Sequence, residues 1–435
     1  MRWAWTTPPS TPMDIERGGV SSEERGPSGA VAAAEAALRY NVRPLSRGAI
    51  GVEVGALSGA ASPALTDPDG VVEAVAIEGL DPDQGLALLR AVQAEGGRVV
   101  TGPDRRRAVL IGLPGSLAAA AGHLAGEGPS ARELGAALAP VLAGNRARPP
   151  LRCGDHSLRF GASTLVMGVV NATPDSFSGD GLGGDVGAAV ALAERLVEEG
   201  ADLVDVGGES TRPGSDPVDA ATELRRVVPV VEALAGRLHV PISVDTRKAE
   251  VARAAIAAGA TLVNDIWGLR GDPQMATVVA THPAVALVAM HNRRGHAYAD
   301  LVAEVARDLR LSLAVAARHG IAADRMVVDP GFGFGKTPAQ NLELMQRLGE
   351  LRGIGCPLLL GPSRKSTIGL LLGGARPELR VEGTLALCVI AVAAGAEMVR
   401  VHDVAAVRRG LRVADAVLRE IPEAVRRAPA PGPTG

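Results

Sequence analysis

The segments EEGADLVDVG, AAGATLVNDI and AAGAEMVRVH share one grammar: a helical pattern stops at a glycine, a short β-branched run follows, and that run ends on a polar residue. The glycines are Gly200, Gly259 and Gly395, and glycine there is the usual left-handed end of a helix. Helices that deliver straight into strands belong to folds in which parallel strands alternate with helices. From Thr164 onward the whole chain reads this way. Strand-like runs lie at Leu165–Val170, Leu203–Val206, Ile242–Asp245, Thr261–Asn264, Val285–Met290, Met326–Asp329, Leu358–Leu360 and Glu397–Val401. Apolar stripes at helical spacing separate them, as in Val186, Ala189, Val190, Ala193, Leu196 and Val197, or Leu224, Val227, Val228, Val231 and Leu234. Eight such runs over roughly 250 residues predict an α/β fold, a (β/α)8 TIM barrel. A doubly wound open sheet is the alternative. The barrel is favoured because polar residues recur at the C-terminal end of every run but the fifth, which leads into AMHNRRG. Those ends are where barrels carry their chemistry.

The chain has 435 residues, more than one barrel needs. Residues 1–47, rich in Pro, Gly, Ser and charge, read as a flexible arm with one helical stretch near Val31–Leu38. Residues 48–150 read as a small N-terminal α/β extension of unknown role, with helices near Pro82–Ala94, Ser116–Ala125 and Ala131–Leu142 and strands near Arg98–Thr101 and Ala108–Gly112. Asn145–Gly154 reads as a linker, 151–425 as the barrel and 426–435 as a disordered tail. Hydrophobic residues at 47% support a large core. Lys+Arg 45 against Asp+Glu 48 gives no sign of a nucleic-acid partner. Cys153, Cys356 and Cys388 are scattered, which excludes a disulfide framework or cysteine-rich zinc site and suits a reducing cytoplasm. No run is long enough for a membrane span, and the N-terminus lacks the apolar core of a signal peptide.

Two scarcities sharpen the search. Aromatic residues are few, so the core must be aliphatic, and Lys248, Lys336 and Lys365 are the only lysines. Mutational bias toward arginine codons accounts for the depletion, but an ammonium is a compact charge that arginine replaces poorly. Lys336 lies in GFGFGKT and Lys365 in GPSRKS, both loop-like. Asn171, Asp205, Asp245, Asn264 with Asp265, His291, Asp329, Ser363 with Lys365, and Arg400 with His402 stand at the strand ends. Each alone is compatible with a capping or structural role; together they converge on one barrel mouth. Carboxylates and an amide suit the donor edge of a polar heterocycle, while Arg212, Lys365, Arg400 and His402 suit an anion. The loops NATPDSFSGDGLGGD and GGESTRPGSDP look long and carry Phe177, Thr211, Arg212 and Pro213. Phe177, Phe332 and Phe334 fall in mouth loops, either to plug the barrel top or to clamp an aromatic co-substrate. GFGFGKT is not a phosphate-binding P-loop, because Pro330 stands where that motif needs glycine. His282, His291, His296 and His402 show no zinc spacing.

LVMGVVNATPDSFS, DLVDVGGESTRPGS, PISVDTRK, LVNDIWG, VAMHNRRG, VVDPGFGFGKT, GPSRKS and MVRVHDV occur in order. With this set, residues 164–420 resemble the dihydropteroate synthase family of pterin-binding TIM barrels. The resemblance implies condensation of 7,8-dihydropterin-6-ylmethyl diphosphate with 4-aminobenzoate, releasing diphosphate, with Mg2+ as cofactor, a homodimer and a cytoplasmic location. It implies a pterin pocket of Asp245, Asn264, Asp329 and Lys365. The implied diphosphate site comprises Asn171, Thr211, Arg212, Arg400 and His402, with Asn171 also on Mg2+. The implied aminobenzoate site comprises Phe177, Pro213, Phe334 and Ser363. Asp245, Lys365, Arg400 and His402 take the catalytic roles. One departure is DSFSGDG, where Asp180 comes one place later than in many relatives. A pterin-dependent methyltransferase on the same barrel is the rival enzyme, but it has little use for ESTRPG, GPSRKS and RVHD together. A catalytically silent pterin-binding protein is the rival from another class, although no site position is visibly lost.

Overall fold

The computed structural model describes residues 29–58, 73–142, 148–173, 185–210, 217–419 and 421–427. An N-terminal unit contains helices α1 (Gly29–Tyr40), α2 (Arg47–Ser58), α3 (Pro82–Ala94), α4 (Pro114–Leu124) and α5 (Pro129–Leu142). Its strands β1 (Arg43–Pro44), β2 (Glu73–Ile77), β3 (Arg98–Thr101) and β4 (Ala108–Gly112) form an antiparallel sheet in the order β1-β2-β4-β3. Strand alternation gives the sheet two apolar faces. Val75, Ile77 and Leu110 pack with Tyr40, Leu88, Leu117 and Leu134, while Ala74, Val109 and Ile111 pack with Val54 and Leu57 of α2.

Two readings of this region change. Residues 29–47, taken as part of an arm, instead hold α1 and β1, because the alanine-rich stretch places Ala36 and Tyr40 in the core and β1 extends the sheet. The segment taken as a linker includes β5 (Leu151–Cys153), which forms a hairpin with β6 (His156–Leu158).

The N-terminal unit meets the barrel through buried charge. The Arg43 side chain is fully buried and lies 3.4 Å from Glu78 of its own unit, 3.2 Å from Asp300 and 3.5 Å from Glu350 of the barrel; Glu53 also pairs with it. Buried Arg310 reaches back from the barrel to the Asn41 amide oxygen at 2.5 Å, and also donates to the Gly353 carbonyl at 3.0 Å. Removing one partner of a buried ion cluster leaves uncompensated charge. Arg43→Met is therefore expected to cost about 3–5 kcal/mol, read as a lower denaturation midpoint. An unchanged midpoint would show that the cluster contributes little.

The barrel strands are β7 (Leu165–Asn171), β8 (Leu203–Gly207), β9 (Ile242–Asp245), β10 (Leu262–Asp265), β11 (Ala286–Met290), β12 (Met326–Asp329), β13 (Leu359–Leu360) and β14 (Met398–Val401). They pair in parallel in the order β12-β11-β10-β9-β8-β7-β14-β13, and a bridge between Val328 and Leu358 closes the ring. Around it lie α6 (Val186–Glu198), α7 (Ala220–Ala235), α8 (Ala249–Ala257), α9 (Met275–Ala280), α10 (Leu301–Arg318), α11 (Pro338–Gln346), α12 (Ser366–Leu371), α13 (Val381–Ala393) and α14 (Val404–Leu418). Asp185, Asp219 and Asp300 cap α6, α7 and α10, and Thr337 with Gln340 forms a capping box on α11.

The glycine junctions work as the sequence predicts. Gly200, Gly259 and Gly395 have φ of 105°, 117° and 101°. At each, the following residue donates back to a carbonyl five residues earlier: Ala201 to Leu196, Ala260 to Ala255 and Ala396 to Ala391, all at 2.9 Å. The same turn occurs at Gly320, where Ile321 donates to Ala316. A 3-10 turn at Ala323–Arg325 then intervenes before β12, which hides the pattern in the sequence.

The lower interior is aliphatic and sulfur-containing, as the scarcity of aromatics requires. Leu165, Met167, Leu203, Leu262, Val288, Val327, Leu359 and Met398 fill it, and Leu151 and Cys153 of the hairpin close it from below. Above them the interior becomes polar.

Candidate active site

Strand parity decides which polar residues meet. Alternate residues of a strand point to one face, so the strands that send Met167, Leu203, Leu262, Val327 and Met398 inward also send Asn171, Asp205, Asn264, Asp329 and Arg400 inward, one layer higher. Asp245 and His402 follow from Ser243 and Arg400 by the same rule. The contacts agree. Asp205 is the hub of this layer: it accepts from Ser243 Oγ at 2.5 Å, Asn264 Nδ2 at 2.9 Å and Arg400 Nε at 2.6 Å. Arg400 also donates to Asp245 at 2.7 Å.

The resemblance assigns Arg400 to a diphosphate. In the structure two of its nitrogens are committed to carboxylates, which fixes the guanidinium plane and leaves Nη1 for a ligand. Burial pushes the Asp245 carboxyl up, while Arg400 pulls it back. The same carboxylates raise the Arg400 guanidinium against the effect of burial, so it stays charged.

Asp329 ends β12 and is buried. Its Oδ1 accepts from Gly331 N–H at 2.7 Å, and Oδ2 accepts from none of the described residues. Burial raises its carboxyl to about 6, partly offset by the Gly331 bond and by Lys365. The Lys365 ammonium sits 3.9 Å from the centre of the Phe334 ring, a cation–π contact. Gly333 makes this approach possible. It has φ of 82°, and a Cβ there would come within 3.0 Å of the Lys365 stem.

Ser363 and His402 form a second pair. Ser363 Oγ lies 2.9 Å from His402 Nδ1 and accepts from the His402 backbone N–H at 3.1 Å. A hydroxyl keeps a second lone pair and its own hydrogen, so Ser363 can meet either tautomer of the ring at Nδ1. Nε2 lies 3.5 Å from the Asn171 amide nitrogen. The Asn171 amide and the His402 ring thus stand side by side at the open end of β7 and β14. Ser363, expected on the aminobenzoate carboxylate, also orients His402.

Several expected residues are not brought into this hollow. Asp265 and His291 lie on the outward parity. Asp265 accepts from the Trp267 and Leu269 backbone at 2.9 and 2.7 Å and shapes a turn. His291 faces Asp308 of α10 at 3.2 Å. Phe332 belongs to the hydrophobic core, so of the two readings of the mouth phenylalanines it takes the plug, whereas Phe334 covers Lys365. Phe177, Asp180, Thr211, Arg212 and Pro213 lie outside the described residues. Asp205 stands at a strand end with no role assigned from the sequence, and Ser243 lies inside its strand; alternation from Leu203 and from Asp245 points both inward.

Among the described residues no group of three His, Cys, Asp or Glu side chains is placed to hold a metal ion, and no helix is long and apolar enough to cross a membrane. The inward set therefore defines an enzyme mouth with an acidic and amide side, for a hydrogen-bonding ring, beside a cationic end.

The pattern of the family described as "Pterin binding enzyme" matches residues 167–402, the span that carries this mouth. The chain is 43% identical over 270 residues to dihydropteroate synthase of Clostridium beijerinckii, covering 62% of this chain and all of that one. It is 44% identical over 264 residues to the Bacillus subtilis enzyme, covering 61% and 92%. Among solved structures it resembles Xanthomonas albilineans dihydropteroate synthase with 4-aminobenzoic acid, with TM-score 0.59, 46% identity, and coverage of 65% of this chain and 100% of that one. It also resembles the Burkholderia cenocepacia enzyme complexed with 7,8-dihydropteroate, with TM-score 0.57, 43% identity, and coverage of 63% and 98%. The chain belongs to the dihydropteroate synthase family, transferases of folate biosynthesis.

Proposed function

We propose that the chain joins 7,8-dihydropterin-6-ylmethyl diphosphate to 4-aminobenzoate, giving 7,8-dihydropteroate and diphosphate. The observation that carries this reading is the single inward layer in which Asp245, Asn264 and Asp329 stand beside Arg400, Asn171 and His402. The 2-amino and N3–H groups of a pterin are paired donors, and the Asp329 carboxylate accepts them. Asn264 donates one amide hydrogen to Asp205, which leaves its oxygen and second hydrogen for the ring. Lys365 donates to the carbonyl side. The Phe334 ring forms an apolar wall for aminobenzoate, with Phe177 and Pro213 as further candidates from the sequence.

The carbon–oxygen bond to diphosphate breaks first, and its electron pair leaves with the diphosphate. Arg400 and the His402 ring stabilise the growing charge, with Thr211 and Arg212 as further donors. The methylene cation delocalises into the pterin, and the ionised form of Asp245, whose carboxyl burial raises to about 7, favours it. The aminobenzoate nitrogen then donates its lone pair to the methylene carbon and loses its proton to solvent. No general base is assigned, because an arylamine is already nucleophilic. Positioning and charge supply the rate.

A Mg2+ ion fits the donor set at the cationic end: magnesium takes few protein oxygens together with water and phosphate, and the Asn171 amide oxygen is one such ligand. When bound, Mg2+ would neutralise diphosphate charge. The rival methyltransferase would leave the Arg400 and His402 end without an anion to meet.

A reducing cytoplasm fits three buried, unpaired thiols, Cys153, Cys356 and Cys388. A homodimer fits the apolar residues left exposed on neighbouring helices, including Leu370, Leu371, Ile390, Val413 and Val417. Incubating the protein with both substrates and Mg2+ should release diphosphate in proportion to dihydropteroate, and a chelator should stop it. Absence of any aminobenzoate-dependent diphosphate would refute the reading.

A further inference from the structure

The lysine in GFGFGKT has no part in the chemistry above, yet it is buried at 6% exposure. Among the described residues its ammonium makes no hydrogen bond to a carboxylate. It donates to the Gly331 carbonyl at 3.0 Å and the Phe334 carbonyl at 3.1 Å, and lies 3.0 Å from His291 Nδ1. Burial draws the Lys336 ammonium down to about 7, with Asp329 pulling it back up; a buried charge needs its donors satisfied, and here three neutral acceptors meet the three donors an ammonium has.

These acceptors bracket one loop. Gly331, Gly333 and Gly335 have φ of 70°, 82° and 56°, so the segment between β12 and α11 coils on itself with its carbonyls turned inward. It has no strand or helix to fix this shape. Its packing leaves little slack, since a Cβ at Gly331 would fall 1.9 Å from the His291 carbonyl oxygen. The third acceptor is itself held. His291 Nε2 lies 3.2 Å from Asp308. Burial lowers the imidazole to about 4, so it is neutral; Nε2 stands close to Asp308 without hydrogen-bond geometry among the described residues, and Nδ1 offers its lone pair to Lys336. Outside the cage, Tyr298 OH donates to the Gly335 carbonyl at 2.9 Å. The loop so fixed carries both the N–H bonded to Asp329 and the Phe334 ring over Lys365.

We propose that Lys336, oriented by His291 and Asp308, is a positioning residue whose ammonium cages the loop carbonyls and holds the Phe334 wall for the aromatic amine. A guanidinium, planar and larger, does not match three acceptors converging on one point, which accounts for a lysine here in an arginine-rich chain. The inference rests on the substrate assignment above and concerns the amine side of the site. The loop meets the pterin side through one backbone bond to Asp329, the Phe334 ring on Lys365 and the charge of Lys336 near Asp329, but it forms the amine wall itself, so the amine side is expected to lose more when the cage is lost.

The test uses Lys336→Met, which keeps the stem and removes the ammonium, in the full chain. The KM for 4-aminobenzoate is expected to rise about tenfold or more, while the Kd of an unreactive pterin, measured by calorimetry, stays within about threefold, since a lost charged hydrogen bond is worth roughly one to two powers of ten. Tyr298→Phe, a milder change at the loop's outer tether, should raise the same KM by a smaller factor, and it carries the test if Lys336→Met does not fold. An unchanged KM in the folded variants, or equal loss of amine and pterin affinity, would overturn the proposal. Failure of the unaltered enzyme to use aminobenzoate would instead strike at the substrate assignment.

Discussion

Asp329→Ala is expected to weaken pterin binding by at least about a hundredfold. The carboxylate stands at the end of β12, is buried, and has one oxygen without a partner among the described residues. A pterin edge offers it two donors. Hydrogen bonds to a charged group contribute roughly 1.5–3 kcal/mol each, so losing both costs two powers of ten or more. The alanine would also leave the ligand's donors facing a dry wall. Calorimetry with an unreactive pterin measures this directly, and affinity within a few-fold of the unaltered protein would dismiss the pocket.

The same carboxyl sets a pH limit. Burial raises it to about 6, so below that pH the free protein carries the protonated form, which accepts poorly. Affinity should then fall about tenfold per pH unit, and it should be constant above. Asp329→Asn should bind weakly with no such break.

Arg400→Ala is expected to lower turnover by about 10²–10³, the usual loss when a preorganised donor to developing charge is removed. The structure adds a reason why position matters as well as charge. Asp205 and Asp245 grip two of its nitrogens, so the guanidinium cannot follow a ligand. Arg400→Lys would restore the charge without the two-pronged grip, and should recover only part of the rate. The deficit should appear in kcat more than in pterin affinity. Near-normal turnover in Arg400→Ala would remove it from the mechanism.

Much of this was legible in the sequence. The glycine junctions gave three helix-to-strand transitions outright, because a left-handed residue ending a helix is a local event that needs no tertiary context. The barrel followed from their repetition. The inward residues of the mouth were legible as strand ends, but strand ends alone mixed two faces. Asp265 and His291 were grouped with the site until parity separated them. Other relations are contacts between distant strands, which no local pattern announces. Asp205 as hub, Ser363 turned toward His402, and Arg400 held by two acids join residues up to 195 apart in sequence. The alanine-rich start at α1 looked like part of an arm because its partners, Leu134 of α5 and the helix α10, lie about a hundred and nearly three hundred residues onward.

The ring is thinnest where β12 meets β13, since a lone bridge between Val328 and Leu358 spans that gap and β13 itself is only Leu359–Leu360. Asp329 stands on one bank of this seam and Lys365 follows from the other. A ligand gripped by both is a stitch across the weakest join of the wall, so filling the hollow tightens the scaffold that made it.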